Sequence, residues 1–105
     1  MSDASLPRHY ERLTRNYPRF MAALESVAVA AREAGPLQEK VLHLVQMGAA
    51  AARAMETGVA SHARRAARAG ATPAEISQAL LALTPTIGFP AVAAALKWAE
   101  KNIDD

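Results

Sequence analysis

Twenty-six of the 105 residues are alanine, against 28 for all larger members of the hydrophobic set together. Alanine loses no side-chain entropy in a helix and has the highest helix propensity. It also carries the smallest apolar side chain, so helices built on it approach one another closely while burying little bulk. The composition therefore predicts an all-α chain with a thin core. A length of 105 residues is one domain. So small a domain with so little bulk to bury is expected to gain by associating with copies of itself.

Proline and glycine divide the chain into about six helices. The first is expected over 7–16 and stops at Tyr17-Pro18, because a residue before proline avoids helical backbone. The second starts at Pro18 and reaches Ala34, with Phe20, Leu24, Val27 and Ala31 at helical spacing. Gly35-Pro36 stops it. The third is predicted from Leu37 to Arg53, with a stripe of Leu37, Val41, Leu44, Val45, Gly48 and Ala52. A fourth runs from Glu56 to Ala69, with Gly70 just past its end. Thr72, Pro73 and Glu75 form a capping box for a fifth, which reaches Leu83. Thr84-Pro85 ends it, and Gly88-Phe89-Pro90 opens the last helix, to Asn102. No run alternates with period two, so no strand is expected. The first residues and Asp104-Asp105 are expected to fray.

Several function classes drop out on composition. Twelve Lys and Arg against ten Asp and Glu leave a net charge of +2, too little to imply nucleic acid. Arg8, Arg12, Arg15 and Arg19, with Arg53, Arg64, Arg65 and Arg68, read as solvated helix faces. The segment MSDASLPRHYERL lacks the apolar run of a secretory signal. The uncharged stretch Ile76–Leu96 is long enough to span a membrane. Pro85, Gly88 and Pro90 break it, however, and it reads as two buried helices with a turn. A soluble, cytoplasmic protein with no membrane partner is expected. There is no cysteine, which removes disulfides, thiolate nucleophiles and cysteine metal sites.

What remains for chemistry is histidine. His9, His43 and His62 show no HExxH spacing, and the chain has no phosphate-binding glycine loop and no GxSxG. His62 lies one turn from Val59 and Ala66, on the apolar side of its helix. His43, in KVLHLV, flanks the apolar stripe of the third helix. Histidines so placed commonly serve as satisfied core or interface residues. Partly buried imidazoles also titrate near neutrality, which suits proton transfer.

Three stretches carry a resemblance. KVLHLVQMGAAAA from Lys40, HARRAARAGATPAEI from His62 and IGFPAVAAALKWAEK from Ile87 resemble the helices of the carboxymuconolactone decarboxylase / AhpD-like family. The middle stretch is the most specific, with histidine, alanine, glycine, threonine and glutamate in register. The resemblance implies an AhpD-like fold, with the family core at 37–103, the N-terminal helices at 1–36, and subunits that assemble as trimers or hexamers. In the redox branch of the family a C-x-x-C pair precedes the histidine. Here those positions are Met55 and Gly58, so thiol peroxidase activity is not expected. The family's glutamate, twelve residues before the first cysteine position, corresponds to His43.

The decarboxylase branch needs no cysteine. It resembles cofactor-independent lyases that act on a small lactone carboxylic acid, and it implies His62 as principal acid and base with His43 as its partner. Two imidazoles divide those roles near neutral pH, their mutual repulsion pushing one pKa down. A metal held by the pair with Glu56 or water is a lesser alternative, and no metal or other cofactor is expected. A substrate carboxylate suits an arginine fork, for which Arg53 and Arg64 are candidates by their nearness in sequence to Glu56 and His62. Solvated helix faces are the competing reading of both. Trp98, the one tryptophan, reads as a packing residue. Two functions stand: a lyase or isomerase on a small carboxylate, or a catalytically degenerate oligomeric binding or scaffold protein.

Overall fold

A computed structural model describes residues 5–103, and the side chains of residues 8–100. Among the described residues the secondary structure is all helix: α1 (Ser5–Asn16), α2 (Pro18–Glu33), α3 (Glu39–Ala52), α4 (Glu56–Arg68), α5 (Pro73–Leu81), α6 (Thr84–Ile87) and α7 (Phe89–Ile103). The chain divides into two compact units, one up to Gly35 and one from Pro36. The fraying expected at the first residues and at Asp104-Asp105 falls outside the described residues.

In the first unit, the Tyr17 amide closes α1 on the Leu13 carbonyl at 2.7 Å. Pro18 then starts α2 with its φ already near the helical value. Gly35, at φ +58°, lies just past the end of α2 in a conformation open to glycine. The apolar stripe legible in α2 does not become core. No α2 residue is buried, and Phe20, Leu24 and Val27 are exposed.

The second unit holds the core. Met47, Val59, Ile76, Leu80 and Val92 are its largest fully buried side chains. The space between them is filled by Ala50, Ala51, Ala63, Ala66, Ala71, Ala95 and Ala99. The low-bulk core read from composition is thus built from α3, α4, α5 and α7, with the α4–α5 linker adding Ala71.

The face of α3 differs from the expected stripe. His43, Met47, Ala50 and Ala51 are buried, while Leu37 (before the helix), Val45 and Ala52 are exposed. The reason lies in its neighbour. A Cβ on Gly58 would stand 3.0 Å from the Ala50 Cβ, so α3 and α4 meet at their smallest residues. That contact turns α3 so that His43, four residues before Met47, points inward rather than flanking the buried face.

The turn between these helices is tight. Met55 N–H donates to the Ala50 carbonyl at 2.9 Å, and Ala54 N–H to the Ala51 carbonyl at 3.0 Å. This is the paired bonding of a Schellman cap, with Ala54 at φ 56° where glycine is usual. An L-residue there costs roughly 1–2 kcal/mol. The same cap ends α4, this time with Gly70 at φ 110°, Ala71 N–H on the Ala66 carbonyl and Gly70 N–H on the Ala67 carbonyl. The capping box of α5 forms in full: Glu75 N–H donates to Thr72 Oγ1 at 3.1 Å, and Thr72 N–H to Glu75 Oε1 at 2.9 Å.

Thr84-Pro85 does not simply end α5. Thr84 Oγ1 donates to the Leu81 carbonyl at 2.8 Å, and Pro85 presets the next backbone angle, so Thr84–Ile87 makes a further helical turn. Gly88, at φ 89°, then breaks the chain away into α7. Seven helical segments therefore replace the expected six among the described residues, and none is long and apolar enough to cross a membrane.

Met47 is fully buried at the centre of this core. Met47→Ala should lower the unfolding free energy by about 2–5 kcal/mol, read as a lower urea midpoint.

Candidate functional site

The α3–α4 hairpin brings together residues nineteen positions apart. The rings of His43 and His62 lie 5.7 Å between centroids, tilted by 31°. His43 is buried and His62 half-buried. The Nδ1 atoms of both rings are buried and make no hydrogen bond to any described residue. Buried polar atoms are nearly always satisfied, so two unpartnered nitrogens on neighbouring rings are exceptional.

The other ring nitrogen of His43 is accounted for. Its Nε2 lies 3.4 Å from Oε2 of Glu39, one helical turn earlier. Glu39 is largely exposed, with its carboxylate reaching down from the first turn of α3. Neighbouring Lys40 spans from α3 to α5 and pairs with Glu75 at 3.4 Å. That contact and the capping box hold the Glu75 carboxyl below its usual range, mainly through the Thr72 backbone bond and then through Lys40.

His62 is electrostatically tuned. Burial lowers its pKa below the ordinary imidazole value of 6.5, and the charges of Arg65 and His43 lower it further. All three act against the imidazolium. Arg65 was grouped with the solvated arginines in the sequence, yet its guanidinium, three residues beyond His62, acts on that ring.

The remaining sequence candidates sit elsewhere on the hairpin. Arg53 caps the C-terminus of α3 and Glu56 opens α4; both are exposed at the turn. At 1.5 Å per residue, Arg53 is about 15 Å along the axis from His43, and Glu56 about 9 Å from His62. Arg64 is half-buried on α4. Among the described residues no group of three or more His, Cys, Asp or Glu is placed to hold a metal ion. Glu39 was missed in the sequence because it lies outside the stretch that resembles the family. The signal was nevertheless present, since E-x-x-x-H within a helix puts the carboxylate beside the ring.

The two positions of the missing cysteines are instructive. Met55 is the exposed N-cap of α4, and Gly58 faces Ala50 with room for little beyond a hydrogen. A thiol at position 58 would press on α3.

Compared with known proteins, the chain matches the carboxymuconolactone decarboxylase family over residues 18–101. The match begins at the first residue of α2 and includes both histidines. No curated protein and no solved structure matches it.

The depressed pKa of His62 has a consequence for stability. Between its ordinary value and its folded value, the unfolded chain binds the extra proton and the folded one does not. The neutral ring's contribution is complete above about pH 6.5 and falls as pH drops toward the folded pKa, below which the loss levels off. Urea midpoints should fall as the pH is lowered from about 7.5 to about 5, and His62→Gln should flatten that slope. A slope unchanged by the substitution would refute the assignment.

Proposed function

The chain belongs to the carboxymuconolactone decarboxylase family, and from that premise we propose that it is a cofactor-independent lyase or isomerase acting on a small carboxylic acid in the cytoplasm. The observation that carries the reading is the pair of imidazoles 5.7 Å apart, each with a buried, unpartnered nitrogen. His62 is the principal acid and base, and His43 its partner. In a decarboxylation the carboxylate leaves as carbon dioxide and its electron pair stays on the carbon. The His62 imidazolium gives that carbon a proton, which the ring regains from solvent. A depressed pKa makes the imidazolium the stronger acid once formed. Arg65, whose charge reaches His62, supplies positive potential for a carboxylate. Arg53 and Glu56, at the hairpin turn, would meet only the far end of a longer substrate.

One observation favours a second reading, a binding protein without chemistry. At the position that the resemblance gives to the family's second cysteine, a Cβ would stand 3.0 Å from the Ala50 Cβ, which leaves a thiol little room. The two readings separate in heavy water. Incubated with small lactone carboxylic acids, the lyase releases carbon dioxide and places deuterium on the product carbon. His62→Gln and His43→Gln should each slow this by about 10²- to 10⁴-fold. Ligand binding with neither release nor exchange would overturn the lyase and leave the binding protein.

We further propose that copies of this chain associate, as trimers or hexamers, through apolar helix faces. Phe20, Leu24 and Val27 present such a face on α2, and the alanine core leaves apolar area to be buried between copies. Light scattering should give a multiple of 11.1 kDa. Leu24→Glu should reduce it, and a stable wild-type monomer would refute the association.

A further inference from the structure

The two histidines are not equivalent, and the difference comes from Glu39. Its Oε2 lies 3.4 Å from Nε2 of His43, a long hydrogen bond, and a carboxylate can only accept. The bond forms when the Nε2 carries hydrogen. A neutral ring that carries hydrogen on Nε2 has a bare lone pair on Nδ1. In His43 that Nδ1 is buried, has no partner among the described residues, and belongs to the ring that lies tilted beside His62. The Nδ1 of His62 likewise has no partner among the described residues.

We propose that Glu39 is a positioning residue that holds His43 in the Nε2–H tautomer, making its Nδ1 the proton acceptor of the pair. This rests on the lyase reading and deepens it in two ways. It divides the labour, with His43 as base and His62 as acid. It also restricts the ligand, which must offer a hydrogen-bond donor to His43 Nδ1: a hydroxyl, an enol or an acidic C–H. A bare carboxylate meets the His43 Nδ1 lone pair there and is repelled, so the substrate's carboxylate belongs on the Arg65 side of the pair. The proton taken from the donor moves to Nδ1, giving an imidazolium whose charge Glu39 offsets through Nε2–H. The electron pair released stays on the ligand, the His62 imidazolium gives its proton to the carbon being protonated, and the cycle closes as His43 loses a proton to solvent and His62 regains one from it.

The tautomer is read directly, without a substrate. In two-bond proton–nitrogen spectra of the ¹⁵N-histidine-labelled full chain, neutral His43 should show a protonated Nε2 and an unprotonated Nδ1. A resolved Nε2–H proton should persist against exchange. Glu39→Ala should lose that proton resonance and draw the two nitrogen shifts toward each other as tautomers mix. Glu39→Lys, which puts a donor in place of the acceptor, should invert them, while Glu39→Gln, which keeps an acceptor, should retain the wild-type pattern in part. Because Glu39 is largely exposed, these variants leave the core intact, and an unchanged circular dichroism spectrum verifies it. A wild-type His43 protonated on Nδ1, or nitrogen shifts that do not move in Glu39→Ala and Glu39→Lys, would overturn the proposal. Failure to release carbon dioxide with the tautomer held as described would sink the lyase reading alone.

Discussion

The close approach of α3 and α4 at Ala50 and Gly58 governs the rest of the second unit. With a Cβ-to-Cβ distance of 3.0 Å for any side chain placed at 58, the two helices are set by their smallest residues. The three-residue turn Arg53–Met55, with Ala54 held at positive φ, leaves them little freedom to slide. Met47 and Val59 then fill the next layer, and the layer beyond it holds His43 against His62. Alanine is what permits this. A larger residue at 50 would part the helices and separate the rings.

That geometry creates an electrostatic problem with a chemical use. Burial disfavours the His62 imidazolium most, and the Arg65 charge and then the neighbouring imidazole add to it, so its pKa lies below the ordinary value. Neutral rings have one donor and one acceptor nitrogen each. Glu39 occupies one of these four positions, and the two Nδ1 atoms remain buried without partners. A core histidine placed only for packing would have its polar atoms satisfied by the surrounding protein. In this pair the two Nδ1 atoms have no such partner among the described residues.

Within its family the chain combines retention with replacement. By the resemblance, His62 stands at the family's histidine, Met55 and Gly58 at its cysteine positions and His43 at its glutamate position. These changes are physically linked. Gly58 allows the close helix contact, that contact turns His43 inward, and Glu39 returns a carboxylate one turn away from where the family pattern has it.

Much of this fold is legible in the sequence. Alanine content fixed the helical class, the Thr72–Glu75 box and the Gly70 cap placed the α4–α5 junction, and proline marked the start of α2, because such signals act through local backbone chemistry alone. What local chemistry does not carry is the rotation of one helix against another. The apolar stripe of α2 was readable but its exposure was not, since burial depends on what packs nearby. The stripe read in α3 differs from its buried face because a glycine on α4, six residues past the helix end, decides which side of α3 turns inward. The single turn at Thr84–Ile87 likewise depends on a side-chain bond to Leu81 that a Thr-Pro pair does not announce. The sequence by itself determined that His43 and His62 were present on helices. Only the packing of small residues decided that the two rings would meet, one buried and one half-buried, each with its Nδ1 unpartnered among the described residues.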